Sequence, residues 1–307
     1  DALILDEAHR IRRTSANRWT RAQFRTDRPQ LDELLDAAAV PVFLLDEFQV
    51  VRPGELGTVA DISDRARAHG MQLVTIELDA QFRCGGSLEY VRWVKRLLGL
   101  DPGGPVPWVG DPHFDVEVVD SPAELEAGLR TRLAQGHRAR MAAGYCWPWS
   151  DPGPGGVLVP DVQIGDWSRP WNLKGERSVG GAPAAALWAT DPAGFGQVGC
   201  VYTAQGFEYD YAGVIMGPDL VWRDGAWTSV RRANKDPDFR NTAVVSDADF
   251  DRLVRNVYKV LLTRGLRGVS IYSTDEATRA HLREFARVAV AAGRTGPGGD
   301  QEPDIRG

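Results

Sequence analysis

The sequence predicts an α/β protein built on parallel sheet. Three observations predict it. Short apolar runs end in acidic residues, as at Leu3-Ile4-Leu5-Asp6-Glu7 and Val42-Phe43-Leu44-Leu45-Asp46-Glu47; strands buried on both faces read this way. Amphipathic stretches of helical period fall between those runs. The composition, 43% hydrophobic and 25% charged over 307 residues, supports one large core or two medium ones.

The elements follow in order. Ala2 to Leu5 reads as a buried strand, Leu31 to Ala39 as a helix stopped before Pro41, and Pro41 to Leu45 as a second strand. Ile62 to His69 reads as a helix closed by Gly70, and Leu73 to Leu78 as a third strand. Leu88 to Leu98 has amphipathic helical period, and Asp101 to Pro107 is a Gly/Pro loop. Asp115 to Val119 reads as strand, Pro122 to Gln135 as helix and Arg138 to Tyr145 as strand. From Trp147 to Pro183 the pattern dissolves into Gly, Pro and four tryptophans (Trp147, Trp149, Trp167, Trp171), an irregular insertion with one strand. Val198 to Tyr202 and Ala212 to Met216 are strands, Asp247 to Leu262 a helix, Val269 to Tyr272 a strand and Glu276 to about Ala292 a final helix. The Gly/Pro/Asp tail from Gly293 is expected to be disordered.

Composition excludes several classes. No apolar run reaches the ~18 residues of a membrane span. Cys84, Cys146 and Cys200 lie far apart with no CxxC pair, which argues against a disulfide framework or zinc site and fits a reducing cytoplasm. No targeting segment opens the chain; Asp1 leads directly into strand, as in a piece of something longer. A net charge of −6 means that any nucleic-acid surface is a local patch. Seven arginines between Arg10 and Arg28, with Trp19 and Phe24 interleaved and Asp27 the only acid, form one such patch. It suits a nucleic-acid backbone and equally a solvated helix. The tryptophans of the insertion are better read as pins holding an irregular loop to the core than as a base-stacking platform.

Five segments carry chemistry. Asp6-Glu7-Ala8-His9, at the end of the first strand, can hold Mg²⁺ through Asp6 and orient a water through Glu7 as general base. Asp46-Glu47-Phe48-Gln49 adds a neutral amide, suited to a phosphate or attacking water without placing negative charge beside it. Gln81-Phe82-Arg83-Cys84 offers a guanidinium fork for phosphate. Thr203-Ala204-Gln205-Gly206-Phe207-Glu208-Tyr209-Asp210 is a polar turn between two apolar strands, with a glycine for close approach. Thr263-Arg264-Gly265 places an arginine at a helix end before a buried strand, the position of an arginine finger. Each alone also fits an ordinary surface turn or salt bridge.

Taken in order, the five resemble motifs II to VI of superfamily 1 helicases, a class of P-loop NTPase, and most closely the Schlafen group 3-like DNA/RNA helicase domain, over Leu3 to Tyr272. The resemblance implies two RecA-like parallel-sheet lobes, the first incomplete: residues 1–80, then 81–285 with the insertion near 147–183, then a tail at 286–307. It implies ATP and Mg²⁺ as ligands and DNA or RNA, in single-stranded form, as partner. Asp6 and Glu7 take the metal and water roles and Gln49 senses the γ-phosphate. Arg83 and Arg264 reach phosphate, and Gln205, Gly206 and Glu208 lie near the nucleotide or couple it to the strand. A phosphate loop needs Gly-Lys-Ser/Thr, and none of the four lysines (Lys95, Lys174, Lys235, Lys259) follows a glycine. Hydrolysis is therefore expected of a longer parent and not of this chain alone. The rival expectations are a non-catalytic Schlafen-like switch on nucleic acid and an AAA-type remodeller. The first would be expected to have lost Glu7 or Arg264, and the second leaves the order of the segments unexplained.

Overall fold

The computed structural model describes residues 1–16, 20–55, 57–77 and 84–287. β1 (Ala2–Leu5) pairs in parallel with β2 (Val40–Phe43), Ala2 lying opposite Val40. Between them runs α1 (Gln30–Asp36), and after them α2 (Val59–Ala68). Thr58 caps α2, its hydroxyl accepting from Asp61 N at 3.0 Å, and Gly70 ends it in the left-handed region (φ 67°). Leu31, Leu35 and Ile62 from the helices meet Ala8 and Ile11 in a small core of their own.

The larger body starts at α3 (Leu88–Leu97), capped by Ser87, which buries Tyr90, Trp93, Val94 and Leu97. Its sheet has five strands in the order β3-β11-β8-β4-β7. These are β3 (Asp115–Val118), β4 (Ala139–Ala143), β7 (Val198–Cys200), β8 (Tyr209–Met216) and β11 (Gly265–Ser273). Every pairing in it is parallel. Two helices pack on β8: α4 (Pro122–Ala134), led by a Ser121 cap, and α6 (Asp247–Leu262), led by a Ser246 cap. α7 (Glu276–Ala286) closes the described chain beside β3. Among the described residues no helix is long and apolar enough to cross a membrane.

The structure differs from the sequence reading in several places, the first being that β1 and β2, read as buried, alternate exposed and half-buried residues. Residues 73–77 form no strand, and Leu78 lies outside the described residues; Val74 and Ile76 are 72% and 78% exposed, with no neighbouring strand to bond among the described residues. The strand expected to reach Tyr202 stops at Cys200, and Val201–Ala204 turns into the short helix α5. The insertion holds two short strands, β5 (Val162–Ile164) and β6 (Trp167–Arg169), paired as a hairpin. A second hairpin, β9 (Leu220–Arg223) and β10 (Ala226–Ser229), turns at Asp224-Gly225, both at positive φ (50° and 79°). The tail from Gly293 lies outside the described residues.

Candidate functional site

The site is built where the two bodies meet. Glu7 follows β1 in the left-handed region (φ 55°, ψ 38°), uncommon for a residue with a side chain, and its N–H donates to Asp6 Oδ1 at 2.9 Å. Ala8 N then donates to Leu44 O at 2.8 Å, fixing the turn to the end of β2. Gly57 packs so tightly against this turn that a Cβ would lie 2.0 Å from Ala8 O, so no larger residue fits without moving it. Asp6 is exposed and the Glu7 side chain is 41% exposed, leaving both carboxylates open to solvent. Glu7 Oε2 lies 3.2 Å from His9 Nε2 and 3.7 Å from Arg10 Nε. His9 is buried, and burial lowers its pKa despite the neighbouring Glu7, so the imidazole is held neutral.

The end of β2 supplies the second wall. Asp46 caps the turn Glu47–Gln49, its Oδ1 accepting from Phe48 N at 3.0 Å. Its Oδ2 accepts from Gln49 Nε2 at 3.1 Å and from Lys259 Nζ at 2.8 Å. Burial raises the Asp46 carboxyl, but the Lys259 charge and the hydrogen bonds outweigh it and hold the group below its ordinary value. Gln49 is 3% exposed, and its Oε1 has no hydrogen-bond partner among the described residues. Val50 and Val51 then enter the core of the larger body.

The larger body answers with α5 and α6. Gln205, just past α5, donates Nε2 to Gln49 O at 2.8 Å and lies 3.4 Å from His9 Nε2. Asn172 steadies the helix from the insertion, donating to Thr203 Oγ1 at 3.0 Å and accepting from Cys200 N at 2.9 Å. From α6, Asn256 Nδ2 donates to Val50 O at 2.9 Å. Arg264 is 1% exposed; its Nε donates to Val260 O at 3.0 Å and its Nη1 to Gln205 O at 2.9 Å.

Of the residues singled out in the sequence, Glu7, Gln49, Gln205 and Arg264 thus join one chain of contacts, with Asp6 at its open end. Gly206 and Glu208 are exposed beside it, and a Cβ at 206 would meet nothing nearer than Thr203 O at 3.9 Å, so packing does not demand the glycine. Arg83 lies outside the described residues. Arg264 is buried among main-chain carbonyls, unlike the exposed placement that a free finger would have. Sequence reasoning missed Asn256 and Lys259, and saw Asp46 and His9 only as letters of their motifs, without a role of their own. The available signal was Lys259, one of four lysines in an arginine-rich chain and five residues before Arg264. Among the described residues no three His, Cys, Asp or Glu side chains are grouped to hold a metal unaided. Asp6 and Glu7 still fit Mg²⁺, which is commonly bound by one or two carboxylates together with substrate phosphates.

Among its described residues the basic stretch is mostly irregular, with short turns at Ala8–Arg10 and Ala22–Phe24 in place of a solvated helix. Arg12, Arg13, Arg21, Arg25 and Arg28 are exposed, as is Phe24 at 66%. Arg28 pairs with Asp36, and Arg25 Nε donates to Thr20 O at 2.9 Å; Arg18 and Trp19 lie outside the described residues. The tryptophans act as pins: Trp147 donates to Gln163 O, Trp149 to Asn172 O, Trp167 to Glu126 and Trp171 to Pro148 O, at 2.7 to 3.1 Å.

A parallel α/β sheet, with acidic strand ends meeting a glutamine turn and an arginine-bearing helix end, is the make-up of a helicase-like domain. The family model described as Schlafen group 3, DNA/RNA helicase domain, matches residues 1–275, and the chain belongs to that family. It is also similar to an uncharacterized protein of Saccharomyces cerevisiae, 24% identical over 308 residues, an overlap covering 92% of this chain. The chain spans about 64% of that protein's length.

Proposed function

We propose that this chain is the nucleotide-responsive portion of an ATP-dependent DNA or RNA helicase or translocase, working between two RecA-like lobes. The observation that carries the reading is the polar seam from Glu7 through His9 to Gln205, Gln49 and Arg264, which joins four separate segments across the two bodies. In this reading Asp6 and Glu7 hold Mg²⁺ with the nucleotide, and Glu7 takes the proton of the attacking water. Mg²⁺ would offset the charge on the phosphates. Neutral His9, its Nε2 3.2 Å from Glu7 Oε2, holds that carboxylate in place without adding a charge beside it. Gln49, whose Oε1 has no partner among the described residues, has an acceptor to spare for a water. Arg264 ties Gln205 to α6 through the Val260 and Gln205 carbonyls, and would stabilise charge on the phosphate by leaving them as the lobes close. Arg10, Arg12, Arg13 and Arg21, all exposed, would supply phosphate contacts to a single-stranded nucleic acid.

Glu7→Gln tests the reading in the complete natural protein. The amide keeps the shape and cannot accept a proton, so nucleic-acid-stimulated ATP hydrolysis should fall by about 10² or more while ATP affinity stays within a few-fold. Equal loss of binding and hydrolysis would make Glu7 a structural strand end.

A further inference from the structure

The seam contains an ion pair, its lysine buried and its carboxylate half-buried, that the family motifs do not account for. Lys259 is 4% exposed on α6, and its Nζ meets Asp46 Oδ2 at 2.8 Å across 213 residues of chain. The same carboxylate oxygen accepts from Gln49 Nε2 at 3.1 Å. Lys259 therefore fixes the oxygen that fixes the Gln49 amide. Its helix holds the neighbouring residues too: Asn256, one turn earlier on the same face, bonds Val50 O at 2.9 Å, and the Phe48 ring lies 5.6 Å from Lys259 Nζ and 4.2 Å from Lys95 Nζ. The segment 46–50 is thus gripped at Asp46, Phe48 and Val50 by the body that carries Arg264.

We propose that Lys259 is a positioning residue: acting through Asp46, it sets Gln49 for its role at the nucleotide and makes that role depend on where α6 sits. The inference rests on the reading of Gln49 given above. A purely structural pair would only need to balance charge, and two neutral side chains do that as well. A positioning pair needs a cation there, because a charged donor gives the shared oxygen a fixed direction that a neutral side chain does not. Any shift of α6 that carries Arg264 then moves the Asp46 anchor with it, so glutamine and arginine change together.

The test compares Lys259→Met, Lys259→Arg and the double variant Lys259→Met with Asp46→Asn in the complete natural protein. Thermal stability is measured beside nucleic-acid-stimulated ATP hydrolysis. Lys259→Met should lower kcat at least tenfold with KM for ATP changed less than threefold, and Lys259→Arg should recover most of the loss. The double variant, which leaves no unpaired buried charge, should regain the Tm of the wild type and keep the low kcat; it also covers the case in which Lys259→Met does not fold. A double variant that regains both Tm and kcat would overturn the proposal, as would Lys259→Met with a lowered Tm and an unchanged kcat. A wild-type protein without ATP turnover would instead overturn the reading beneath it.

Discussion

His281 lies flat against Trp222, ring centroids 3.6 Å apart and planes 11° from parallel, with Trp227 edge-on at 5.5 Å. Burial holds its imidazole at about 4, below the ordinary 6.5. Above pH 6.5 the folded and unfolded chains are both neutral here, so the whole contribution to stability is present. As pH falls from 6.5 towards 4 the unfolded chain binds a proton that the folded chain refuses, and stability is lost. His281→Phe keeps the stacking and removes the titration. Its Tm should fall by a few degrees less than the wild type's between pH 6.5 and 4, followed by circular dichroism; parallel curves would show that His281 does not titrate differently in the two states. Among the site residues, the sequence showed Glu7, Gln49, Gln205 and Arg264 because each sits at a strand or helix end in a recurring order. It did not show Asp46 with Lys259, because a pair 213 residues apart exists only once two bodies are packed.

At the scale of elements, α6 and the arginine stretch carry the most weight. α6 was legible to the residue, since a Ser246 cap and an unbroken apolar face leave few alternatives. The β9–β10 hairpin was missed although Asp224-Gly225 between apolar residues is a strong turn signal. Leu73 to Leu78 looked like a strand because apolar alternation says what a segment can do, whereas pairing depends on a neighbour. The arginine stretch suited a nucleic-acid backbone and a solvated helix equally; its described residues are mostly irregular, with Arg12, Arg13 and Arg21 exposed. If Arg12, Arg13 and Arg21 bind phosphates, replacing all three with glutamine should weaken binding of single-stranded nucleic acid. The slope of log affinity against log salt should also become shallower by about 0.7 to 0.9 for each phosphate no longer neutralised. An unchanged slope would assign the stretch to solvation.

At the scale of the molecule, two apolar cores are joined by a polar seam, with Val50 and Val51 entering the larger core beside it. Within that seam His9 Nδ1, Gln49 Oε1 and Asn256 Oδ1 are buried with no hydrogen-bond partner among the described residues. A permanent interface gains nothing from such orphans, whereas a seam that rearranges around a ligand can satisfy them in its other state. The central claim is that four distant segments respond as one unit to nucleotide. Hydrogen–deuterium exchange on the complete natural protein, with and without Mg²⁺ and a non-hydrolysable ATP analogue, tests it most directly. Amides in Asp6–Arg10, Asp46–Val50, Val201–Gln205 and Lys259–Arg264 should change protection together and at the same nucleotide concentration. Protection confined to one segment, or none at saturating analogue, would contradict the account.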